Sequence, residues 1–416
     1  MTFSRELNVV SELRKLSTIR GQCSKIFALA QKNGLKHFSL HEEKLDDVVG
    51  FVHELIKADY SSLKIPFHSR WRHFEAGGIP RHLKMQDQWG ECDAMERARR
   101  HIDLVVVSVL LDAGAGPTWK FSESQSSSTF NRSEGLGVAS FWMFANGEFS
   151  SDHAQPHRVD AEALRNLKVQ DLERGFQVTP ENPLVGLQGR VELLQRLGRS
   201  LRNKPEFFAS GASFRPGNLI DAVMSRSSSA KEIRLSDLWQ VVIEGLQDIW
   251  PSEGRMHWNG VNLGDVWHHS ALGHSNEPSA FVPFHKLSQW LTYSLLEPLC
   301  ASGFDVSGIE ELTGLPEYRN GGLFIDFEVL KPRDSQTLLI PQKVDSEWIV
   351  EWRALTVILL DHLAHRLRLK MGLTEAEFPL AKVLEGGTWK AGRRVAAQKR
   401  AGGPPPVQVI SDGTVF

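Results

Sequence analysis

The densest group of anion-binding side chains lies in residues 67–82, with the sequence FHSRWRHFEAGGIPRH. Arginine guanidinium groups bind carboxylate or phosphate through paired hydrogen bonds. A Gly-Gly turn exposes backbone amides that can join them. The segment therefore predicts an anion-binding site that includes Arg70, Arg72 and His73, and its alternative interpretation is a solvated basic loop.

A second polar segment, residues 256–274, has the sequence MHWNGVNLGDVWHHSALGH. It carries four histidines, His257, His268, His269 and His274. Their spacing matches neither the HExxH pattern nor a Cys/His finger, so we do not predict a metal site. We predict instead a loop over a pocket, with Asp265, Trp258 and Trp267 against a ligand. The alternative is a surface loop whose aromatic side chains enter the core.

Residues 314–326, with the sequence GLPEYRNGGLFID, form the third segment. Pro316 and the Asn-Gly-Gly triplet favour a tight bend, followed by a predicted strand over residues 323–330. In such a bend Glu317, Tyr318 and Arg319 converge beside a strand that carries Asp326. This set suits acid–base chemistry on an anchored anion. The alternative is an Arg–Glu pair in an ordinary β-turn.

The composition narrows the classes of function. The 416-residue chain carries 48 basic and 50 acidic residues, so no global positive field attracts nucleic acid. Its three cysteines form no C-x-x-C pattern, and no run of about 20 apolar residues predicts a membrane span. Neither a signal peptide nor a Walker A, dinucleotide or G-x-S-x-G motif is recognisable. We expect a cytoplasmic protein that binds a small molecule.

The hydrophobic pattern predicts a mainly α fold with a minor β element. Apolar residues recur at helical spacing in seven stretches, namely residues 7–30, 45–57, 95–111, 184–201, 235–249, 284–300 and 346–370. We predict one large helical unit over residues 1–390, with room for two lobes. Residues 391–416 are predicted to be a Gly/Pro-rich C-terminal extension, flexible by composition.

Several of these segments resemble a family of bacterial and fungal proteins linked to uracil catabolism. The resembling stretches are IPFHSRWRHFEAGG, WNGVNLGDVWHH, FHKLSQWLTYSLLEPL, TGLPEYRNGGLFID and the terminal SDGTVF. They cover nearly the whole chain. The resemblance implies a pathway in which uracil becomes a nucleotide, the ring is opened and urea is released. It also implies that the SDGTVF end folds back onto the protein.

A fainter similarity links the chain to the queuosine-nucleotide N-glycosidase family. The shared features are an order of helices and a short acidic–Tyr–Arg element, represented here by Glu317, Tyr318 and Arg319. This chain has a glutamate where that family leads us to expect an aspartate. The resemblance implies a helical, two-lobed architecture like that of the DNA glycosylases.

The two resemblances together imply an N-glycosidase that cleaves a ureido-ribose phosphate, or a related nucleotide, to urea and a sugar phosphate, without metal or cofactor. The candidate catalytic carboxylates are Glu317, Asp326 and Asp265. The candidate substrate and phosphate ligands are Arg70, Arg72, His73, Glu75, Arg319, Tyr318, Trp258 and His268. Two alternatives stay open. One is a metal-dependent amidohydrolase that uses His73, His257, His268 and His269, and the other is a non-catalytic nucleotide-binding partner of the pathway.

Overall fold

A computed structural model describes residues 9–112 and 114–410. The chain divides into two compact units. The first unit comprises Met1–His68, Pro251–Gln289 and Ile309–Phe416, and the second comprises Ser69–Trp250 and Trp290–Gly308. With 56% of residues in helices and 10% in strands, the predicted mainly α class with a minor β element is confirmed.

The first unit is built around the long helix Glu347–Met371. Ser346 caps its N-terminus by accepting a hydrogen bond from the Ile349 amide, and Gly372 ends it in the left-handed conformation. Every residue from Trp348 to Leu360 is buried, because other helices pack around this one. Further helices of the unit are Leu16–Gln31, Leu45–Asp59, Tyr318–Asp326, Leu380–Val383 and Trp389–Lys399, and residues 9–13 are helical as well.

The strands of the first unit form separate two-stranded pairs rather than a common sheet. Phe38–Leu40 pairs with Leu330–Pro332, His257–Trp258 with Val261–Asn262, and Val266–His268 with Phe281–Pro283, all antiparallel. Gln342–Lys343 pairs in parallel with Val409–Ile410. Of the predicted extension over residues 391–416, the part up to residue 399 thus continues a helix and residues 409–410 form a strand, whereas SDGTVF lies outside the described residues.

The second unit is also mainly helical. Its helices are Arg70–His73, Arg81–Gln86, Ala94–Leu110, Arg132–Ala145, Ala161–Asn166, Val169–Gly175, Leu187–Asn203, Pro205–Phe208, Leu219–Met224 and Leu235–Gly245. Its strand pairs are Lys120–Glu123 with Ser128–Asn131, Ala209–Ser210 with Ser213–Phe214, and Glu232–Arg234 with Asp305–Ser307. The helix Lys286–Ala301 begins in residues of the first unit and ends in residues of the second.

Two local predictions are wrong. Residues 323–326 belong to the helix Tyr318–Asp326 and not to a strand, and the strand begins only at Leu330. The Asn-Gly-Gly triplet lies inside that helix rather than in a tight bend. Its glycines serve close packing, because a Cβ atom on Gly321 would lie 2.6 Å from the Trp352 ring. Tertiary contact therefore overrides the turn signal.

The predicted helical stretches are otherwise present, with their ends displaced by a few residues. The first one is interrupted by a turn at residues 14 and 15, and its residues 7 and 8 lie outside the described part. Among residues 9–112 and 114–410, none of the helices combines the length and the apolarity that crossing a membrane requires.

Candidate functional site

The helix Tyr318–Asp326, which we call the carboxylate helix, presents a glutamate at its start. Glu317 is the N-cap residue, and its carboxylate accepts hydrogen bonds from the backbone amides of Arg319 at 2.8 Å and Asn320 at 2.5 Å. These amides are among those that the helix itself leaves unpaired, so a carboxylate satisfies them. The cap fixes Glu317 rigidly in the first unit.

Glu317 is buried, with an exposed fraction of 7%. Burial disfavours the charged form and raises the pKa of Glu317 above the ordinary glutamate value. The two capping amides and the positive charges of Lys286 and Arg319 oppose the effect without cancelling it. The carboxyl group therefore holds its proton to a higher pH than a solvated glutamate.

Asp265 has the opposite electrostatic environment. Burial opposes its ionisation, but the Arg353 guanidinium, together with hydrogen bonds from the Lys286 amide and the Trp267 indole, outweighs burial and holds the pKa of Asp265 well below the usual range. Arg353 donates two hydrogen bonds to the carboxylate, at 2.7 and 2.8 Å. The Trp267 indole at 2.7 Å and the Lys286 backbone amide at 3.0 Å donate two more. The lowered pKa favours the ionised form of Asp265, and both of its oxygens are fully engaged.

Arg353 joins the two carboxyl groups into one cluster. Its Nε donates to the carbonyl oxygen of Pro316, 3.3 Å away, in the turn that leads into Glu317. Lys286 also faces both groups, through its amide to Asp265 and through its charge to Glu317. We call Asp265, Lys286, Glu317 and Arg353 the acid–base cluster. Two carboxyl groups with opposite pKa shifts in one cluster are a common arrangement in sites of proton transfer.

The third candidate carboxylate lies elsewhere. Asp326 is the last residue of the carboxylate helix, where Arg400 binds it through two hydrogen bonds of 2.7 and 2.6 Å. Asp326 follows Glu317 by nine positions of helix, which corresponds to about 13 Å along the axis. One reacting carbon therefore cannot contact both carboxylates.

Tyr318 and Arg319 follow Glu317 in the first turn of the carboxylate helix. The Arg319 guanidinium lies 5.8 Å from the centre of the Tyr318 ring and donates to the carbonyl oxygen of Gly403 at 3.1 Å. The three residues are consecutive in sequence and lie at a helix start, not in a bend. The convergence of a carboxylate, a phenol and a guanidinium on one reacting group stays a prediction.

The histidine-rich segment supplies Asp265 to the cluster, but its other candidates have local partners. Trp258 packs on Phe281 with ring centroids 5.8 Å apart, at the edge of an apolar cluster. His268 hydrogen-bonds the Gly273 carbonyl at 2.9 Å, and buried His269 faces Glu351 at 3.4 Å. Within the described part of the chain, no group of three or more His, Cys, Asp or Glu side chains is arranged to hold a metal ion.

The basic candidates of residues 67–82 lie in the second unit, around the short helix Arg70–His73. Arg70 is fully buried and contacts Asp112 at 2.9 Å and His73 at 3.0 Å. Arg72 bridges Glu75 at 2.6 Å and Glu297 at 2.6 Å. The structure thus groups Arg70 with His73 and Arg72 with Glu75, as polar clusters rather than a solvated loop. The three candidate carboxylates and Arg319 belong to the first unit.

The sequence predictions missed Lys286 and Arg353 in the first unit and Asp112 in the second. A signal for Arg353 exists, because it is one of only two charged residues in the run WIVEWRALTVILL, residues 348–360. A charge inside a buried helical stretch needs a partner. Nothing in the sequence names that partner, because Asp265 is 88 positions away.

The chain belongs to the family described as "Protein of unknown function (DUF1688)", whose model matches residues 12–416. The family resemblance seen in the sequence motifs is thereby confirmed. The more distant similarity to queuosine-nucleotide N-glycosidases stays a prediction.

Two relatives match over nearly their whole length. The chain is 38% identical to "Uracil catabolism protein 4" of Lachancea kluyveri over 441 residues, covering 98% of this chain and 99% of that protein. It is 40% identical to "Protein urg3" of Schizosaccharomyces pombe over 416 residues, with the same coverage of both chains.

Proposed function

We propose that this protein acts in uracil catabolism as an N-glycosidase, which hydrolyses a ureido-ribose phosphate or a related nucleotide to urea and a sugar phosphate. The pathway is suggested by the name of the Lachancea kluyveri relative. The reaction is supported by one arrangement. Arg353 binds Asp265 and also the turn that leads into buried Glu317, and the pKa of Glu317 is raised whereas that of Asp265 is lowered.

Cleavage of an N-glycosidic bond passes through an oxocarbenium-like transition state, as in other glycoside hydrolyses. A ureido nitrogen leaves poorly as an anion, so a proton donor must reach it as the bond breaks. Glu317 suits this task because burial raises the pKa of its carboxyl group and so favours the protonated form. Asp265 suits the complementary task of a fixed negative charge that holds Arg353 and the Lys286 backbone in place.

The same cluster carries positive charges suited to a phosphate group. The Lys286 ammonium and the Arg319 guanidinium both act on Glu317 electrostatically, so they lie near the proposed reaction centre. A phosphate bound by them would fix the ribose and supply binding energy for orienting the glycosidic bond. This assignment keeps Arg319 as a phosphate ligand and adds Lys286.

The test is urea release from ureido-ribose 5-phosphate by purified, chelator-treated protein. We expect urea without added metal, and we expect Glu317→Gln to lower kcat by about 100- to 10,000-fold, the usual contribution of a general acid. Asp361→Asn is a suitable control, because it breaks a partly exposed pair with Arg20 in the same unit. Absence of urea from the wild-type protein, with or without divalent metal, would overturn the proposal.

A further inference from the structure

The second unit contains a cavity of about 320 Å³ beside the end of the helix Arg132–Ala145, and we call it the Trp142 cavity. Pockets that hold small molecules have volumes from about 300 Å³ upwards. The acid–base cluster consists of residues of the first unit, and none of them lines this cavity. The lining includes two residues of the hairpin that precedes the helix and four from the helix and the residues after it, namely Phe121, Gln125, Trp142, Met143, Asn146 and Glu148.

Trp142 provides a fixed aromatic wall. Its indole N–H donates a hydrogen bond of 2.6 Å to the Glu123 carboxylate. Glu123 is held in turn by an ion pair with Arg81, and both of these side chains are only 1% exposed. Buried hydrogen-bond networks rigidify the groups that they join. The Trp142 ring is therefore held in place, where it can pack against the face of a planar ligand.

Glu148 brings to the same cavity a carboxyl oxygen that needs a donor. The side chain is partly buried, and its Oε2 atom is buried with no hydrogen-bond partner within residues 9–112 and 114–410. Burial raises the pKa of Glu148 against the positive charge of Arg174, and the negative charge of Asp171 adds to the rise. A buried oxygen without a donor costs free energy. A ligand that donates an N–H group to Glu148 would remove that cost.

The polar lining suits a ligand whose edge both donates and accepts hydrogen bonds. The exposed side chains of Gln125 and Asn146 are carboxamides, each with N–H donors and a carbonyl acceptor. Arg174 also lines the cavity, but it pairs with Asp171 at 3.0 Å, so its charge is balanced and does not favour a phosphate. An uncharged ring with alternating N–H and C=O groups therefore matches the lining, with its face against Trp142.

We propose that the Trp142 cavity binds an uncharged, planar amide heterocycle, with the ring against Trp142 and a ring N–H group donating to Glu148. The Asn146 carboxamide pairs with a neighbouring polar group on the edge of the ring. The inference goes beyond the proposed N-glycosidase function and does not depend on it, because it assigns a second binding site and no reaction.

Isothermal titration calorimetry with uracil tests the site, because uracil is a planar ring that carries two N–H groups. We expect saturable binding to the wild-type chain. Glu148→Ala should weaken that binding by about 10- to 100-fold, as expected when a hydrogen bond to a carboxyl group is lost. Asn146→Ala should weaken it by about 2- to 10-fold. Dimethyluracil, in which methyl groups replace both N–H hydrogens, should bind the wild-type chain about 10- to 100-fold more weakly than uracil.

Matched variants show where uracil binds and separate binding from misfolding. Lys84 lines an adjoining cavity of about 360 Å³ that lacks Glu148, so Lys84→Gln should leave the Kd unchanged. Glu148→Gln keeps the size and an acceptor oxygen, so it should retain more affinity than Glu148→Ala. The proposal is wrong if the wild type does not bind uracil, if Glu148→Ala keeps the wild-type Kd, or if dimethyluracil binds as tightly as uracil. Loss of binding in Glu317→Gln rather than in Glu148→Ala would place uracil at the acid–base cluster and would also overturn it.

Discussion

The substitution Asp265→Asn tests the central ion pair of the proposed site. It keeps the size of the side chain but removes the charge that faces Arg353. The Arg353 side chain is fully buried, and the Asp265 side chain is 10% exposed. Solvent therefore cannot replace the lost carboxylate at the guanidinium.

The expected decrease in the free energy of unfolding follows from this burial. Breaking a buried ion pair by removing one partner costs about 3–5 kcal/mol, because the remaining charge stays in a poorly solvated place. Asp361→Asn is the comparison, because it removes a carboxylate from the long helix Glu347–Met371, which also carries Arg353. The partner of Asp361 is Arg20, which is 34% exposed and also donates a hydrogen bond to the Leu312 carbonyl. Solvent screens this partly exposed pair, and such pairs near the surface contribute about 0–1 kcal/mol. The two variants should therefore differ by about 2–5 kcal/mol.

Equilibrium urea unfolding at neutral pH measures both losses, provided that the slope with denaturant is unchanged. The pH dependence adds a second criterion. The folded-state pKa of Asp265 is lowered, so its stabilisation is present above the ordinary aspartate pKa of about 3.9 and is lost as the pH falls below it. The gap between wild type and Asp265→Asn should be constant near neutrality and should shrink in acid. A loss no larger than that of Asp361→Asn, or a gap independent of pH, would refute this reasoning.

Three further expectations follow from the carboxylate helix. Gly321→Ala should destabilise the protein by about 1–3 kcal/mol, because the added methyl group overpacks against Trp352. Gly50→Ala is the control, because Gly50 lies in a helix and faces open space. It should stabilise the protein by about 1 kcal/mol in the same thermal or urea unfolding assay. Glu317→Gln should gain stability relative to wild type as the pH rises above about 4.3, because the raised pKa of Glu317 makes its ionisation costly only in the folded state. A difference in the free energy of unfolding between Glu317→Gln and wild type that does not change with pH would contradict the raised pKa of Glu317. Asp326→Asn should lower the free energy of unfolding by about 1.5–3 kcal/mol, because it weakens the hydrogen bonds from Arg400. The variant should keep most of its urea release. Loss of turnover would instead make Asp326 the catalytic carboxylate.

Much of the fold is readable from local patterns. The helix Leu45–Asp59, for example, shows acidic residues in its first turn and an apolar face at helical spacing, and it forms where predicted. Such features depend only on neighbours within a few positions. The strand prediction over residues 323–330 failed because an apolar run of that length suits a buried helix equally well.

The arrangement of the candidate site residues differs from the one that the sequence predicts, and their roles stay predictions. Glu317, Tyr318 and Arg319, which the sequence predicts to converge in a bend, lie at the start of a helix. Asp326 was placed beside them on the assumption of a tight bend, but the helix carries it about 13 Å away. Lys286 and Arg353 are not predicted as partners of Glu317 and Asp265, because each pairing joins residues that are distant along the chain.

The sequence alone determined the mainly helical class, the family and the polar segments in which site residues are found, because these depend on composition, periodicity and short motifs. Only the tertiary structure decided which of the two carboxyl groups has a raised pKa and which has a lowered one. Glu317 and Asp265 are ordinary acids as residue types. Burial at a helix start raises the pKa of the first, and the Arg353 guanidinium lowers that of the second. Both effects arise from groups brought together by folding, and a linear sequence does not specify those distances.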